Sequence, residues 1–351
     1  MMIKSRSYIA TPPGATIKEQ LVNRGLSQKE FALRMDMSEK HISKLINGEV
    51  QLTTDVAVRL ETVLGVPAKF WSNLESIYRE KLLKAKAEND MDSDKEFAKK
   101  LPYNEMAKNG WLPETKNSVE KVNNLRKFFE VVHLNLIENR QLSRIACRRQ
   151  SVSEKSDLAL LAWAQKAKLE ARSIDTSLID LNALQKQLPE IRGMTVMEPS
   201  AFCSDLKDIL SKCGIALVFL PHMNGSFLHG ATFCDGNKIV VGLTVRGKDA
   251  DKFWFSLFHE LGHILLGHIH QPEGTTKEDE KAADDFAKEM LIPQEQFNAF
   301  VSLEDFSKAS ICAFAREQSV LCGIVVGRLQ KEGFINYNCC NDLKIRYELA
   351  D

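Results

Sequence analysis

The pentapeptide His259-Glu260-Leu261-Gly262-His263 constrains this chain more than any other stretch. It lies in a run that is apolar at helical spacing, with Phe253, Trp254, Leu257 and Phe258 before it and Ile264 and Leu265 after it. Residues four apart project from one face of a helix, so the two imidazoles can share one metal ion. Two imidazoles and a carboxylate on a buried helix are costly without a partner. Neutral imidazole suits zinc. Glu260, beside the first histidine, is placed to take a proton from a metal-bound water and pass it to a leaving amine. The pattern predicts a zinc centre on a long amphipathic helix over residues 250–267.

A catalytic zinc takes three protein ligands and keeps one open position. Ile269 stands where a metzincin would carry a third histidine. His268 and His270 fall at or past the helix end and read as rim residues. The next helix, predicted over residues 277–291, offers carboxylates. Its apolar face is Ala283, Phe286, Ala287 and Met290, and Glu278, Asp285 and Glu289 fall opposite. Glu280 and Asp279 both lean toward the apolar face, and spacing leaves the two open. Asp284, one turn beyond Glu280, fits an acceptor behind a ligand imidazole.

The segments Phe253 to Leu266, Glu280-Lys281-Ala282-Ala283-Asp284-Asp285-Phe286-Ala287 and Leu291-Ile292-Pro293 resemble the ImmA/IrrE family of metallopeptidases. That resemblance implies Glu280 as the third ligand and a small sheet ahead of the active-site helix. Gly230 to Phe233 and Ile239 to Val241 look like strands of that sheet, whose edge could take an extended peptide by strand addition. His229, Arg246 and Tyr103 are candidates for an oxyanion stabiliser, though each residue type is more often structural.

Residues 16–64 read as short helices. Ser27-Gln28-Lys29-Glu30 is a capping box, and Ser38 caps a second helix that Asn47-Gly48 stops. Thr53 or Thr54 starts another, ended by Gly65 and Pro67. A longer helix over 70–89 precedes the charged stretch 91–100, taken as a boundary. Capped helix, tight turn at Asp36, capped helix is the form of a helix-turn-helix. Leu26 to Ala32 and Met37 to Gly48 resemble the Xre-like family, and Val66-Pro67, Phe70-Trp71 and Leu74 extend the likeness to HigA-type antitoxins. Glu39, Lys40, Ser43 and Lys44 then face base edges, and Gln28, Lys29 and Asn47 face phosphates. Leu101-Pro102-Tyr103 to Gly110-Trp111, and Gly323 to Leu329, also resemble HigA-type proteins fused to such a peptidase.

Composition bounds the rest. The 47 basic and 47 acidic side chains cancel, so DNA affinity must come from local placement, helped by a small basic excess in residues 1–90. Arg140, Arg144, Arg148 and Arg149 form a basic stripe. Eight cysteines without a CxxC pair read as thiols in a reducing compartment. Apolar runs such as Ile215 to Leu220 are too short to span a bilayer, and the start of the chain lacks the apolar core of a secretory signal. The expected fold is mainly α with a small β-sheet (α+β). It comprises a helix-turn-helix domain over 1–90, a helical linking region over 91–190 and a zincin-like metallopeptidase domain over 191–351. Pro189 is where helical pattern gives way, with strands over 215–220, 229–234 and 238–244 and turns at Gly225 and Asp235-Gly236. The expected function is a cytoplasmic, homodimeric, antitoxin-like autorepressor that binds its own double-stranded operator and carries a Zn2+ endopeptidase acting on a protein or peptide. Two rivals are an antitoxin that sequesters a cognate toxin without proteolysis and a protease whose N-terminal module only docks substrate. Glu260 favours an enzyme, since a structural site needs ligands but no base.

Overall fold

A computed structural model describes residues 3–5, 7–138, 154–224, 229–244, 249–271 and 274–348. The arginine stripe at Arg140, Arg144, Arg148 and Arg149, the Gly225 turn and Arg246 lie outside the described residues. The chain divides into two compact units, Met1–Glu96 and Phe97–Asp351. Together they are mainly helical with a small sheet, an α+β chain.

In the first unit, β1 (Ile3–Lys4) pairs antiparallel with β2 (Ile9–Ala10). Five helices follow: α1 (Gly14–Asn23), α2 (Gln28–Arg34), α3 (Glu39–Ile46), α4 (Thr54–Leu64) and α5 (Ala68–Ala98). Their boundaries follow from side-chain caps. The Ser27, Ser38 and Thr53 hydroxyls accept the backbone N–H groups of Glu30, His41 and Val56. Asp36 closes the turn between α2 and α3 at φ 51°, a left-handed position that aspartate tolerates. Ile17, Phe31, Ile42, Leu60 and Trp71 fill the core. Gly14 lets α1 meet the backbone of Ile46 on α3, where any side chain would collide. Helix α5 runs on through the charged stretch 91–100, within which the division between the two units falls, and its charges pair along the helix, as Lys95 does with Asp92 at 2.9 Å.

The second unit contains α6 (Tyr103–Lys108), α7 (Ser118–Phe129), α8 (Glu154–Ala171), α9 (Leu181–Gly193), α10 (Pro199–Lys212), β3 (Ile215–Leu220), β4 (Gly230–Asp235), β5 (Lys238–Thr244), α11 (Ala250–Leu265), α12 (Lys277–Leu291), α13 (Gln294–Val301), α14 (Lys308–Glu317) and α15 (Cys322–Lys331). Helix α9 continues past Pro189, where the sequence suggested a break. The buried side chains of Leu188 and Ile191 on either side hold that turn against the core. Strand order is β3-β5-β4, with β3 parallel and β4 antiparallel to the central β5.

Alternation along β5 divides the unit into layers. Ile239, Val241 and Leu243 join the core shared with α10 and α11. Gly242 points the other way, and the Trp163 ring of α8 occupies the space a side chain would take there, 2.6 Å from the Cβ position. The Trp163 indole N–H donates to the Pro221 carbonyl at 3.1 Å. Removing so large a fully buried ring leaves a cavity beside a glycine that cannot fill it. Trp163→Ala is therefore expected to destabilise the second unit by about 3–5 kcal/mol, read as a lower urea midpoint at unchanged slope.

Candidate metal centre and nucleic-acid interface

Helix α11 is buried nearly all round, with Trp254, Leu257, Phe258 and Leu261 fully inside. Its one polar face carries His259, Glu260 and His263. Helix α12 packs against that face because residue 262 is glycine. A Cβ there would stand 3.0 Å from the Phe286 ring and 3.4 Å from the Ala283 Cα. That approach brings Glu280, one turn before Ala283, over the two histidines.

The His259 and His263 Nε2 atoms lie 3.0 Å apart. Glu280 oxygens lie 3.5 Å from the first and 3.6 Å from the second. The three ligand atoms fall within 4.8 Å of one another. Each group is also held from behind. His259 Nδ1 lies 2.8 Å from Asp284 Oδ1, and the Thr275 hydroxyl donates to Glu280 Oε1 at 2.5 Å. Asp279, the alternative to Glu280, turns away and closes the α12 capping box with Thr276. His268 differs from the expected rim position. Gly267, at φ 78°, folds the chain back so that His268 is buried with its Nδ1 2.9 Å from His263 Nδ1. A helix-ending glycine directly before a histidine was the signal for this; helical spacing does not carry it.

A ring whose Nδ1–H donates to a carboxylate presents a bare Nε2. That Nε2, with the His263 Nε2 and the Glu280 carboxylate beside it, makes a cluster of acceptors that calls for a cation, and the donor set fits a divalent ion. In the metal-free protein a proton takes that place. Burial alone would lower the His259 pKa, but hydrogen bonds to Asp284 and Glu280 and the Glu260 charge lift it to about 10. Burial and the charge of His259 push His263 down. Glu280, despite its burial, is lowered by its hydrogen bonds to His259 and Thr275.

Glu260 faces the sheet. Residues 230 and 232 of β4 share the strand face packed on α11. The Thr232 hydroxyl donates to Glu260 Oε2 at 2.5 Å. Gly230 leaves room for Oε1, which lies 2.8 Å from where a Cβ would stand. Burial raises the Glu260 pKa to about 7, against the lowering effect of His259 and Thr232. A carboxylate poised there can both take and return a proton near neutral pH.

Of the oxyanion candidates, Tyr103 and His229 lie among the described residues. The Tyr103 hydroxyl donates to the Pro113 carbonyl at 2.7 Å and accepts from the Asn124 amide, a structural tie. His229 is exposed beside β4.

In the first unit, Glu39, Lys40 and Lys44 are exposed on α3 and Ser43 is half-buried between them. Gln28 and Lys29 are exposed on the first turn of α2, and Asn47 is exposed at the end of α3. The buried side of α3 is Ile42 and Leu45. Lys40 and Lys44 make no ion pair among the described residues, so their charge is available to a partner.

Two families match the chain. The one described as "Helix-turn-helix" matches residues 17–71. The one described as "IrrE N-terminal-like domain", a peptidase family, matches residues 214–329. The uncharacterized HTH-type transcriptional regulator YddM of Escherichia coli (strain K12) is 33% identical over 66 residues, 19% of this chain and 70% of that relative. The chain belongs to the HTH-type transcriptional regulators. It carries a DNA-binding regulator domain at its N-terminus and an IrrE-like peptidase domain at its C-terminus. The peptidase match spans the sheet and the helices that bear the His/Glu cluster. No single helix among the described residues is long and apolar enough to cross a membrane.

A divalent ion needs His259 unprotonated, so binding must expel the proton held there below about pH 10. Metal titration of the stripped protein near pH 8 is expected to release about one proton, with affinity rising with pH and levelling above about 10. Calorimetry in buffers of different ionisation enthalpy measures the release. No dependence on buffer would show that His259 holds no proton at that pH before the metal binds.

Proposed function

We propose that this regulator is an antitoxin-like autorepressor of the HigA type whose second unit is a zinc-dependent endopeptidase, acting in the cytoplasm. The observation that carries the enzymatic reading is Glu260. It is a buried carboxylate with a near-neutral pKa, held by Thr232 beside three candidate ligands. A purely structural metal site has no use for it.

In this reading His259, His263 and Glu280 hold Zn2+, with Asp284 orienting His259. The ion would supply the positive charge that acidifies water and polarises a peptide carbonyl. Thr232 occupies Glu260 Oε2, leaving Oε1, on the Gly230 side, to accept a proton and return it to the leaving amine. Among the described residues, strand β4 pairs on one side only, with β5. Its free edge offers backbone groups to an extended protein or peptide substrate by strand addition. Glu260→Gln keeps the shape of the side chain but removes the base. It should retain the metal and cut cleavage of a verified substrate by about a hundred-fold or more. Undiminished cleavage would remove Glu260 from the mechanism.

For the first unit, the reading is a homodimer on double-stranded DNA at its own promoter. Half-sites should lie about one helical turn apart, since one α3 reads few base pairs. Glu39, Lys40, Ser43 and Lys44 would read bases, and Gln28, Lys29 and Asn47 would hold phosphates. A cognate toxin is the further partner that the HigA likeness implies. Lys40→Ala and Lys44→Ala each remove a hydrogen-bond donor to a base edge, and each is expected to cost about 1–3 kcal/mol on the cognate site. Lys29→Ala should weaken all sequences alike and flatten the salt dependence. Footprinting of the upstream region at moderate salt, followed by selection from random sequence, tests both. A protein that protects no site in either is not an operator-binding regulator.

A further inference from the structure

We propose that His268 is a positioning residue, backed by Asp279, that fixes the proton of His263 on Nδ1 and so keeps Nε2 bare toward the metal. The inference rests on the metal-centre reading above and adds the element that sets the direction of one ligand.

The direction can be read from the far end inward. Asp279 Oδ2 is occupied by the Thr276 N–H and hydroxyl, each at 2.8 Å. Its other oxygen, Oδ1, lies 3.4 Å from His268 Nε2. A carboxylate offers only lone pairs, so the proton of a neutral His268 belongs on Nε2. A neutral imidazole has a single N–H, which leaves His268 Nδ1 an acceptor. The 2.9 Å contact between the two Nδ1 atoms then requires the proton on His263 Nδ1. His263 Nε2 is left with its lone pair aimed at His259 Nε2 and Glu280. The opposite order would set a bare His268 Nε2 against a carboxylate and turn an N–H into the ligand cluster.

Burial makes the relay matter. His263 is 2% exposed and His268 is 8% exposed, so water does not stand in for His268 at the His263 Nδ1–H. The two ligand histidines are thus held differently. Asp284 sets a full negative charge directly behind His259. His263 has an imidazole behind it and meets its carboxylate only through that ring. The same Asp279 closes the capping box of α12, the helix that delivers Glu280. One side chain therefore serves the ligand on α11 and the start of the helix that supplies the third.

The test compares the full chain with His268→Leu, which removes the acceptor, and His268→Asn, whose side-chain oxygen can sit near the position Nδ1 held. Zinc affinity is measured by competition with a chromophoric chelator, and thermal midpoints of the metal-free forms are recorded alongside. His268→Leu is expected to weaken zinc binding by about 10–100-fold, and His268→Asn to recover most of it. If Leu is not tolerated, His268→Ala reads the same effect. Wild-type affinity in the Leu or Ala variant, or equal weakening in Asn and Leu, overturns the relay; equal weakening would assign His268 to packing alone. His263→Ala separates the two levels of the argument. It should abolish binding. If it binds zinc like the unaltered chain, the metal reading itself has failed rather than the relay.

Discussion

Two imidazole nitrogens 3.0 Å apart, with a carboxylate against both, do not rest together in a protein interior without a positive charge. Much of the second unit serves to keep that uncomfortable group assembled. The core around α11 fixes the helix on its apolar sides, and Gly262 admits α12 so closely that Glu280 reaches across. Asp284, Thr275 and His268 stand behind His259, Glu280 and His263 respectively.

The same helix is anchored at its other end by a second buried charge arrangement. Asp251 pairs with Lys344 at 2.9 Å, both nearly shielded from water. The Trp254 indole donates to the Tyr347 hydroxyl at 3.1 Å. The approach of Asp251 depends on Gly327, where any side chain would run into its carboxylate. Gly323 likewise lets the Lys344 backbone lie against α15. The glycines of the Gly323 to Leu329 segment are thus points of close approach between α15, the N-terminal turn of α11 and the segment that ties them. A buried pair of this kind is a device of registry more than of stability.

What the sequence made legible follows the range of the forces involved. Caps are local, so Ser27, Ser38, Thr53 and the left-handed Asp36 were readable from neighbours alone. Helical periodicity is local too, which brought His259, Glu260 and His263 to one face, and short β-rich runs between turns marked the three strands of the second unit, though not β1 and β2. Spacing could not choose between Glu280 and Asp279, because that depends on the approach of two helices and on a capping box that claims Asp279. Thr232 and Gly230 were invisible as partners of Glu260, since strand alternation says which face a residue takes but not what packs on it. His268 was misplaced at the rim because periodicity stops where Gly267 turns the chain. The length of α5 and the passage of α9 through Pro189 were missed for the opposite reason: local breaking signals were overruled by paired charges in one case and buried leucine and isoleucine in the other.

Thr232 carries a consequence for timing. The hydroxyl that steadies Glu260 hangs from β4, and in the proposed reading the edge of that strand left unpaired among the described residues is where an extended chain would dock. The strand that would grip such a guest and the clamp on Glu260 would then be one ribbon of backbone. A guest that pairs in register would stiffen the ribbon and seat the clamp. One that pairs a residue out of step would present the wrong side chains and pull on the clamp at once. Selectivity in such an arrangement would appear as a difference in turnover between chains that bind equally well.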